Sequence, residues 1–142
     1  MNILLTGGTG YIGSHTAIKI HQNNHNVILY DNLSNSSKKI LSKIKTSLGL
    51  NLKLIVGDVL DTKKLEEVLK NYEIEAVIHF AGLKSVDESI LFPKKYFENN
   101  VNGSLSLIQA MKKSNVKKLI FSSSATVYGE PEYLPIDENH PK

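Results

Sequence analysis

Five short, nearly unbroken apolar runs divide this chain, at residues 2–6, 26–30, 52–56, 76–80 and 116–122. Runs of that length without polar alternation predict strands buried on both faces of a parallel sheet. Between them, apolar residues recur every three or four positions, the helical period. Residues 11–22 put Ile12, Thr16, Ala17 and Ile20 on one stripe with Gly13, and Asn23 and Asn24 suit the left-handed end of that helix. The polar loop 32–37 ends in N-cap candidates, and a helix over 37–48 follows with Ile40, Leu41, Ile44 and Leu48 inward. Thr62 is read as the cap of a helix carrying Leu65, Val68 and Leu69, with Glu66 and Glu67 toward its positive end. Residues 81–92 read as a loop with a helical turn, and a long helix over 94–114 carries Phe97, Val101, Leu105, Ile108 and Met111 at helical spacing. The segment 128–142 has three prolines and no clear period.

Strand and helix thus alternate five times with short connections, which predicts a doubly wound parallel α/β sheet of Rossmann-like type with right-handed crossovers. The expected strand order is 3-2-1-4-5, which places ligand chemistry at the carboxyl ends of strands 1 and 4, where the order reverses. The 142 residues suffice for one domain with its own core, and neither a tandem repeat nor a low-complexity tract is visible.

Composition narrows the partners. No run of 18 apolar residues appears and the N-terminus enters a strand directly, so neither a membrane span nor a secretory signal is expected. With no cysteine there is no disulfide, thiolate metal site or cysteine nucleophile, which fits a cytoplasmic protein. The net charge is +3, and every one of the 17 basic residues is lysine. Nucleic-acid readers lean on arginine for bidentate contacts, so these dispersed lysine pairs read as a solvated surface rather than a nucleic-acid patch.

The candidate chemistry begins at the first strand's end. Residues 6–13, Thr-Gly-Gly-Thr-Gly-Tyr-Ile-Gly, read as a tight turn and helix start at which a nucleotide pyrophosphate can sit. Gly7 and Gly8 would allow the turn, Gly10 a close backbone approach and Gly13 helix packing. Asp31 ends strand 2 eighteen residues after Gly13, where a carboxylate accepts from an adenosine ribose; the other reading is a loop carboxylate capping the next helix. No arginine is present to clamp a 2′-phosphate and Asp31 would repel one, so the expected cofactor is NAD rather than NADP. Asp58 ends strand 3, either as an acceptor for an adenine amino group or as a turn residue. Phe80, Ala81 and Gly82 leave room beside the glycine turn, and Lys84 either adds charge there or is simply solvated. Asn99 and Gly103, poor helix formers one turn apart, mark either a close polar approach or a helix-packing contact. The serines 122–124 follow strand 5, where Ser124 is either a cap or a proton and hydrogen-bond relay. His79 lies inside an apolar strand and reads as a satisfied core residue; the five histidines show no ligand spacing, and no metal site is expected.

These segments resemble the N-terminal portion of the UDP-glucose 4-epimerases, a family of extended short-chain dehydrogenases/reductases. The resemblance spans the whole chain and rests on residues 6–15, 31–36, His-Phe-Ala-Gly-Leu-Lys at 79–84, Asn-Asn-Val-Asn-Gly at 99–103 and Phe-Ser-Ser-Ser-Ala-Thr-Val-Tyr-Gly at 121–129. The resemblance implies cofactor contacts at Gly7, Gly10, Tyr11, Ile12, Asp31, Asn32, Asn35, Ser36, Asp58, Val59, Phe80, Ala81, Gly82, Lys84, Asn99 and Ser122, and a hydrogen bond from Ser124 near the reacting sugar hydroxyl. It also implies the reaction: hydride leaves C4 of a UDP-hexose for a tightly held NAD, the 4-keto sugar turns, and hydride returns to the opposite face, interconverting UDP-galactose and UDP-glucose. A homodimer is implied for the full-length enzyme. The family's Tyr-x-x-x-Lys pair is expected only beyond Lys142; none of Tyr11, Tyr30, Tyr72, Tyr96, Tyr128 or Tyr133 has Lys four residues on. The sequence therefore reads as an NAD-binding domain over 1–142, incomplete at its C-terminal side and inactive by itself. The alternatives are a related sugar-nucleotide dehydratase or decarboxylase fragment and a non-catalytic nucleotide-binding module. Dehydratases of this kind carry an Asp-Glu pair where this chain has Ala125-Thr126, which cannot supply the acid and base that water elimination needs.

Overall fold

Alternation within β1 (Asn2–Thr6) decides which layer each side chain joins. In the computed structural model, which describes residues 1–142, Leu4 points to one face of the sheet with Ile28, Tyr30 and Val77, and these pack on Leu65, Val68 and Leu69 of α3 (Thr62–Asn71) and Leu107, Ala110 and Met111 of α6 (Gly103–Lys113). Ile3 and Leu5 point to the other face with Val27, Leu29 and Ile78, against Ala17 of α1 (Tyr11–Gln22) and Ile44 of α2 (Lys39–Leu48). Both faces are covered, which is why the strands lack polar alternation.

The sheet has the order β3-β2-β1-β4-β5, all parallel, with β2 Asn26–Asp31, β3 Lys53–Val56, β4 Ala76–His79 and β5 Lys118–Phe121. The register pairs Thr6 with Tyr30 on one side and with His79 on the other. The ends of β1, β2 and β4 therefore lie level, at the point where chain direction through the sheet reverses.

Several local expectations change: Leu48, expected inward on α2, is 48% exposed, and the first turn of α3 holds no acidic residue, Glu66 and Glu67 lying past it. Asp61, not Thr62, caps α3: its carboxylate accepts from the Lys64 N–H at 3.0 Å, while the Thr62 hydroxyl pairs with the Ser106 hydroxyl at 2.7 Å and ties α3 to α6. Asn24 takes the left-handed conformation after α1 (φ +62°), whereas Asn23 does not. The long helix is interrupted. α4 (Val86–Leu91) and α5 (Pro93–Phe97) are followed by a single π turn over Glu98–Asn102 before α6 begins. Of the five residues expected on its stripe, only Met111 is buried; Phe97, Val101, Leu105 and Ile108 face solvent, and the packed face is Gly103, Ser106, Leu107, Ala110 and Met111. No helix is long and apolar enough to cross a membrane.

Candidate functional site

The glycine turn forms the floor of the site. Gly7 has φ +67°, and a Cβ on it would stand 2.7 Å from the Ala81 nitrogen, so the turn lies directly on the backbone leaving β4. A left-handed residue that close to another main chain has to be glycine. The turn closes through the Gly10 N–H, which donates to the Gly7 carbonyl at 3.1 Å. Gly13 is held against the same carbonyl, where any side chain would collide, so α1 sits tightly on the turn.

α1 opens without help from side chains. Gly10 is its N-cap, no side chain caps it, and its first turn holds no acidic residue. The N–H groups of Tyr11, Ile12 and Gly13 have no acceptor in the protein. Free amides at the positive end of a helix are a site for an anion. Lys84 lines the same cleft and makes no ion pair, so its charge adds to that field.

Asp31 is 8% exposed at the end of β2. Its Oδ2 accepts from the Thr9 N–H at 3.1 Å, and its Oδ1 accepts from the Leu33 N–H at 2.9 Å and the Ser36 hydroxyl at 3.1 Å. A carboxylate has about four acceptor positions, so these three bonds orient it and leave room for one further donor. The Thr9 and Ser36 hydroxyls, 2.7 Å apart, join the glycine turn to the loop after β2.

These elements enclose a cleft of about 480 Å³ at the carboxyl ends of the central strands. It is lined by all the residues expected from the sequence except Ser36 and Asp58. Both exceptions serve from behind: Ser36 holds Asp31, and Asp58 accepts from the Asn32 side chain and the Leu60 N–H, each at 2.9 Å. Those two bonds fit the turn reading of Asp58 and leave its carboxylate further acceptor positions for the adenine reading. Gly103 resolves as a packing contact, since a Cβ would lie 2.7 Å from Val59 Cγ2, whereas Asn99 faces the cleft. Ser124 lines the cleft and also caps the 3-10 turn Ala125–Tyr128, accepting from the Thr126 N–H at 3.2 Å.

Several lining residues were not singled out from the sequence, among them Tyr30, Ser34, Gly57 and Leu83. The Tyr30 hydroxyl donates to the Asp58 carbonyl at 2.9 Å; burial, with Asp61 and Asp58 nearby, raises its pKa, so the phenol stays a donor. His79 is buried and bonded through both ring nitrogens, to the Thr6 hydroxyl at 2.5 Å and the Ser104 hydroxyl at 3.0 Å. No three His, Asp or Glu side chains gather as a metal ligand set. Taken together, acceptor-free amides, an unpaired lysine and an oriented carboxylate at the next strand end fit a dinucleotide with its pyrophosphate on α1 and a ribose at Asp31.

Comparison with known proteins agrees with that chemistry. Residues 3–142 match the model of the NAD dependent epimerase/dehydratase family. The UDP-glucose 4-epimerase of Pasteurella multocida is 52% identical over 139 residues, covering 98% of this chain and 41% of that protein. The crystal structure of UDP-glucose 4-epimerase from Stenotrophomonas maltophila, with bound NAD and formylated UDP-arabinopyranose, superposes with a TM-score of 0.93 at 41% identity, covering 98% of this chain and 41% of that one. That of UDP-glucose 4-epimerase from Bifidobacterium longum, in complex with NAD+ and UDP, gives a TM-score of 0.92 at 47% identity over 99% of this chain and 42% of that one. The chain thus spans about two fifths of the length of these relatives.

Proposed function

The chain belongs to the NAD dependent epimerase/dehydratase family, and on that premise we propose that it is the NAD-binding part of a UDP-glucose 4-epimerase. The observation that carries this reading is the first turn of α1, where three amides without acceptors share a cleft with the unpaired Lys84 and the oriented Asp31.

NAD, when bound, supplies a reversible hydride acceptor. The chain's own residues supply its seat. The amides of Tyr11, Ile12 and Gly13 bind the pyrophosphate, with Lys84 balancing its charge. Asp31 takes ribose hydroxyls and repels a 2′-phosphate. Asn99 and Ser122 line the nicotinamide side, and Ser124 holds the reacting hydroxyl of a UDP-hexose near the end of β5. No Tyr-x-x-x-Lys pair occurs in the 142 residues, so proton removal from that hydroxyl has no base here. The domain by itself therefore binds cofactor without turning over sugar nucleotide. Ala125 and Thr126 offer no acid or base for water elimination, which supports the epimerase over a dehydratase.

The same reading includes a cytoplasmic location, supported by the absence of cysteine, and a homodimer for the full-length enzyme, supported by the exposed apolar stripe that runs from α5 through the π turn to α6.

Calorimetric titration of the chain should give one NAD per chain and binding of NADP weaker by about 100-fold or more, a difference of two factors of ten. Equal affinity for both, or none for NAD, would overturn the cofactor reading. UDP-galactose added with NAD should yield no UDP-glucose; measurable turnover would require a base other than the missing tyrosine.

A further inference from the structure

All four residues from Ala81 to Lys84 line the cleft, yet they belong to no helix or strand. Within that stretch the main chain makes no backbone hydrogen bond, and the Ala81 N–H has only a 3.5 Å contact with the Thr6 hydroxyl. One side chain holds it. Asn100 Oδ1 accepts from the Leu83 N–H at 2.8 Å, and Asn100 Nδ2 donates to the Leu83 carbonyl at 3.0 Å. Both polar groups of one residue are thus read by a single amide, a two-point clamp that fixes position and orientation together.

The clamp depends on the π turn. Over Glu98–Asn102 the helix is wound wider than an α-helix, and this local change of register falls on two adjacent asparagines. Asn99 Nδ2 donates to Asn100 Oδ1 at 2.8 Å, and Asn99 Oδ1 is left without a protein donor in the cleft wall. Asn100 does not line the cleft itself. Its own carbonyl accepts from the Ser104 hydroxyl at 2.6 Å, and that hydroxyl in turn accepts from His79 Nε2. The clamp is therefore anchored through buried His79 to Thr6, the residue before the glycine turn.

We propose that Asn100 is a positioning residue for the cofactor site: by clamping Leu83 it holds the Ala81–Lys84 segment in its binding geometry and orients Asn99 toward the cleft. The role rests on the proposed NAD site. A loop with a single anchor would otherwise have to be ordered at the moment of binding, and that ordering lowers affinity.

Two variants test it. In Asn100→Ala both bonds go; the Leu83 amide should exchange with solvent about tenfold faster or more, because local opening no longer breaks a hydrogen bond, while the amides of Val77 and Leu107 keep their protection. NAD affinity should fall about tenfold, the scale of one or two lost hydrogen bonds. In Asn100→Asp the carboxylate still accepts from Leu83 N–H but cannot donate to its carbonyl. Leu83 protection should then return to within about threefold of wild type. NAD binding should stay weakened. Unchanged Leu83 exchange in the alanine variant, or faster exchange at Val77 and Leu107 alongside it, would overturn the proposal, the latter by showing a role in the scaffold. So would unaltered NAD affinity in both variants when the wild type binds. Exchange is measured without NAD, so a wild-type chain that fails to bind NAD would overturn the proposed function while the clamp is still decided.

Discussion

His79 is 3% exposed, and its neighbours dictate its protonation. Ser104 donates its hydroxyl proton to the Asn100 carbonyl, so it accepts from His79 Nε2, and His79 Nδ1 is left to accept from Thr6. That assignment follows from the network and describes a neutral ring. Burial, with Lys84 nearby, pushes its pKa down from 6.5 to about 4. The unfolded chain thus binds a proton near pH 6.5 that the folded one refuses until about pH 4. The stability His79 gives is full above 6.5 and is lost as pH falls toward 4, a span worth about 3 kcal/mol. Urea unfolding of wild type and His79→Gln across that window should show the wild type losing the larger share; parallel pH profiles would exclude His79 as the source. The residue type and its strand position were enough to expect a satisfied core histidine. Asp31 was equally legible, from its place at a strand end eighteen residues after the glycine loop. Asn100 was not, and Ser36 and Asp58 were named without any sign that they stand behind the cleft wall. Sequence spacing locates a residue along the chain but does not say whether it stands in the cleft wall or behind it, and Asn100 acquires its role only from a π turn that no local pattern announced.

At the scale of elements, α6 shows why helical period alone misled. Its two sides both carry apolar residues three or four apart, Leu105 and Ile108 on one and Leu107, Ala110 and Met111 on the other. The larger side chains favoured the outward stripe, but the small residues Gly103 and Ala110 let the other side approach the core. Gly103 makes this testable. Alanine in a helix is about 1 kcal/mol better than glycine, yet its Cβ would stand 2.7 Å from Val59 Cγ2. Val59 is 5% exposed within the core and has little room to move, and overpacking costs about 1–3 kcal/mol. The clash wins, so Gly103→Ala should destabilise by about 1 kcal/mol net in chemical denaturation. With Val59→Ala already in place the same change should become neutral or stabilising. A Gly103→Ala variant stabilised in the wild-type background would show that this face of the helix is not closely packed. At α3 the error was smaller: Asp61 and Thr62 are both good caps by type, and the choice fell to Ser106, which binds the threonine hydroxyl. Replacing Asp61 by Ala should cost about 1 kcal/mol and leave NAD affinity unchanged, a pairing of thermal unfolding and calorimetry that separates capping from binding.

The strand order, by contrast, was legible from the alternation of elements alone, because parallel pairing with right-handed crossovers leaves few ways to cover both faces of five buried strands. What pattern could not supply was which surfaces of these 142 residues stay apolar and exposed. Two apolar surfaces stay exposed: the edge strand β5, with Ile120 62% and Phe121 57% exposed, and the outer stripe Phe97, Val101, Leu105 and Ile108, between 40% and 62% exposed. They differ in kind. An edge strand also offers unpaired backbone groups and takes another strand, whereas a helical stripe of spacing four, four and three is self-complementary and suits a two-fold contact with a second copy. The proposed homodimer therefore belongs to the helices. In the full-length enzyme Leu105→Glu places a charge at the centre of that stripe and should turn a dimer into a monomer in sedimentation velocity at about ten micromolar, with NAD affinity held, since the stripe lies outside the cleft. Ile120→Lys should leave the dimer intact by the same reasoning. If Ile120→Lys dissociates the dimer and Leu105→Glu does not, the copies meet strand to strand along β5 and the helical contact is wrong.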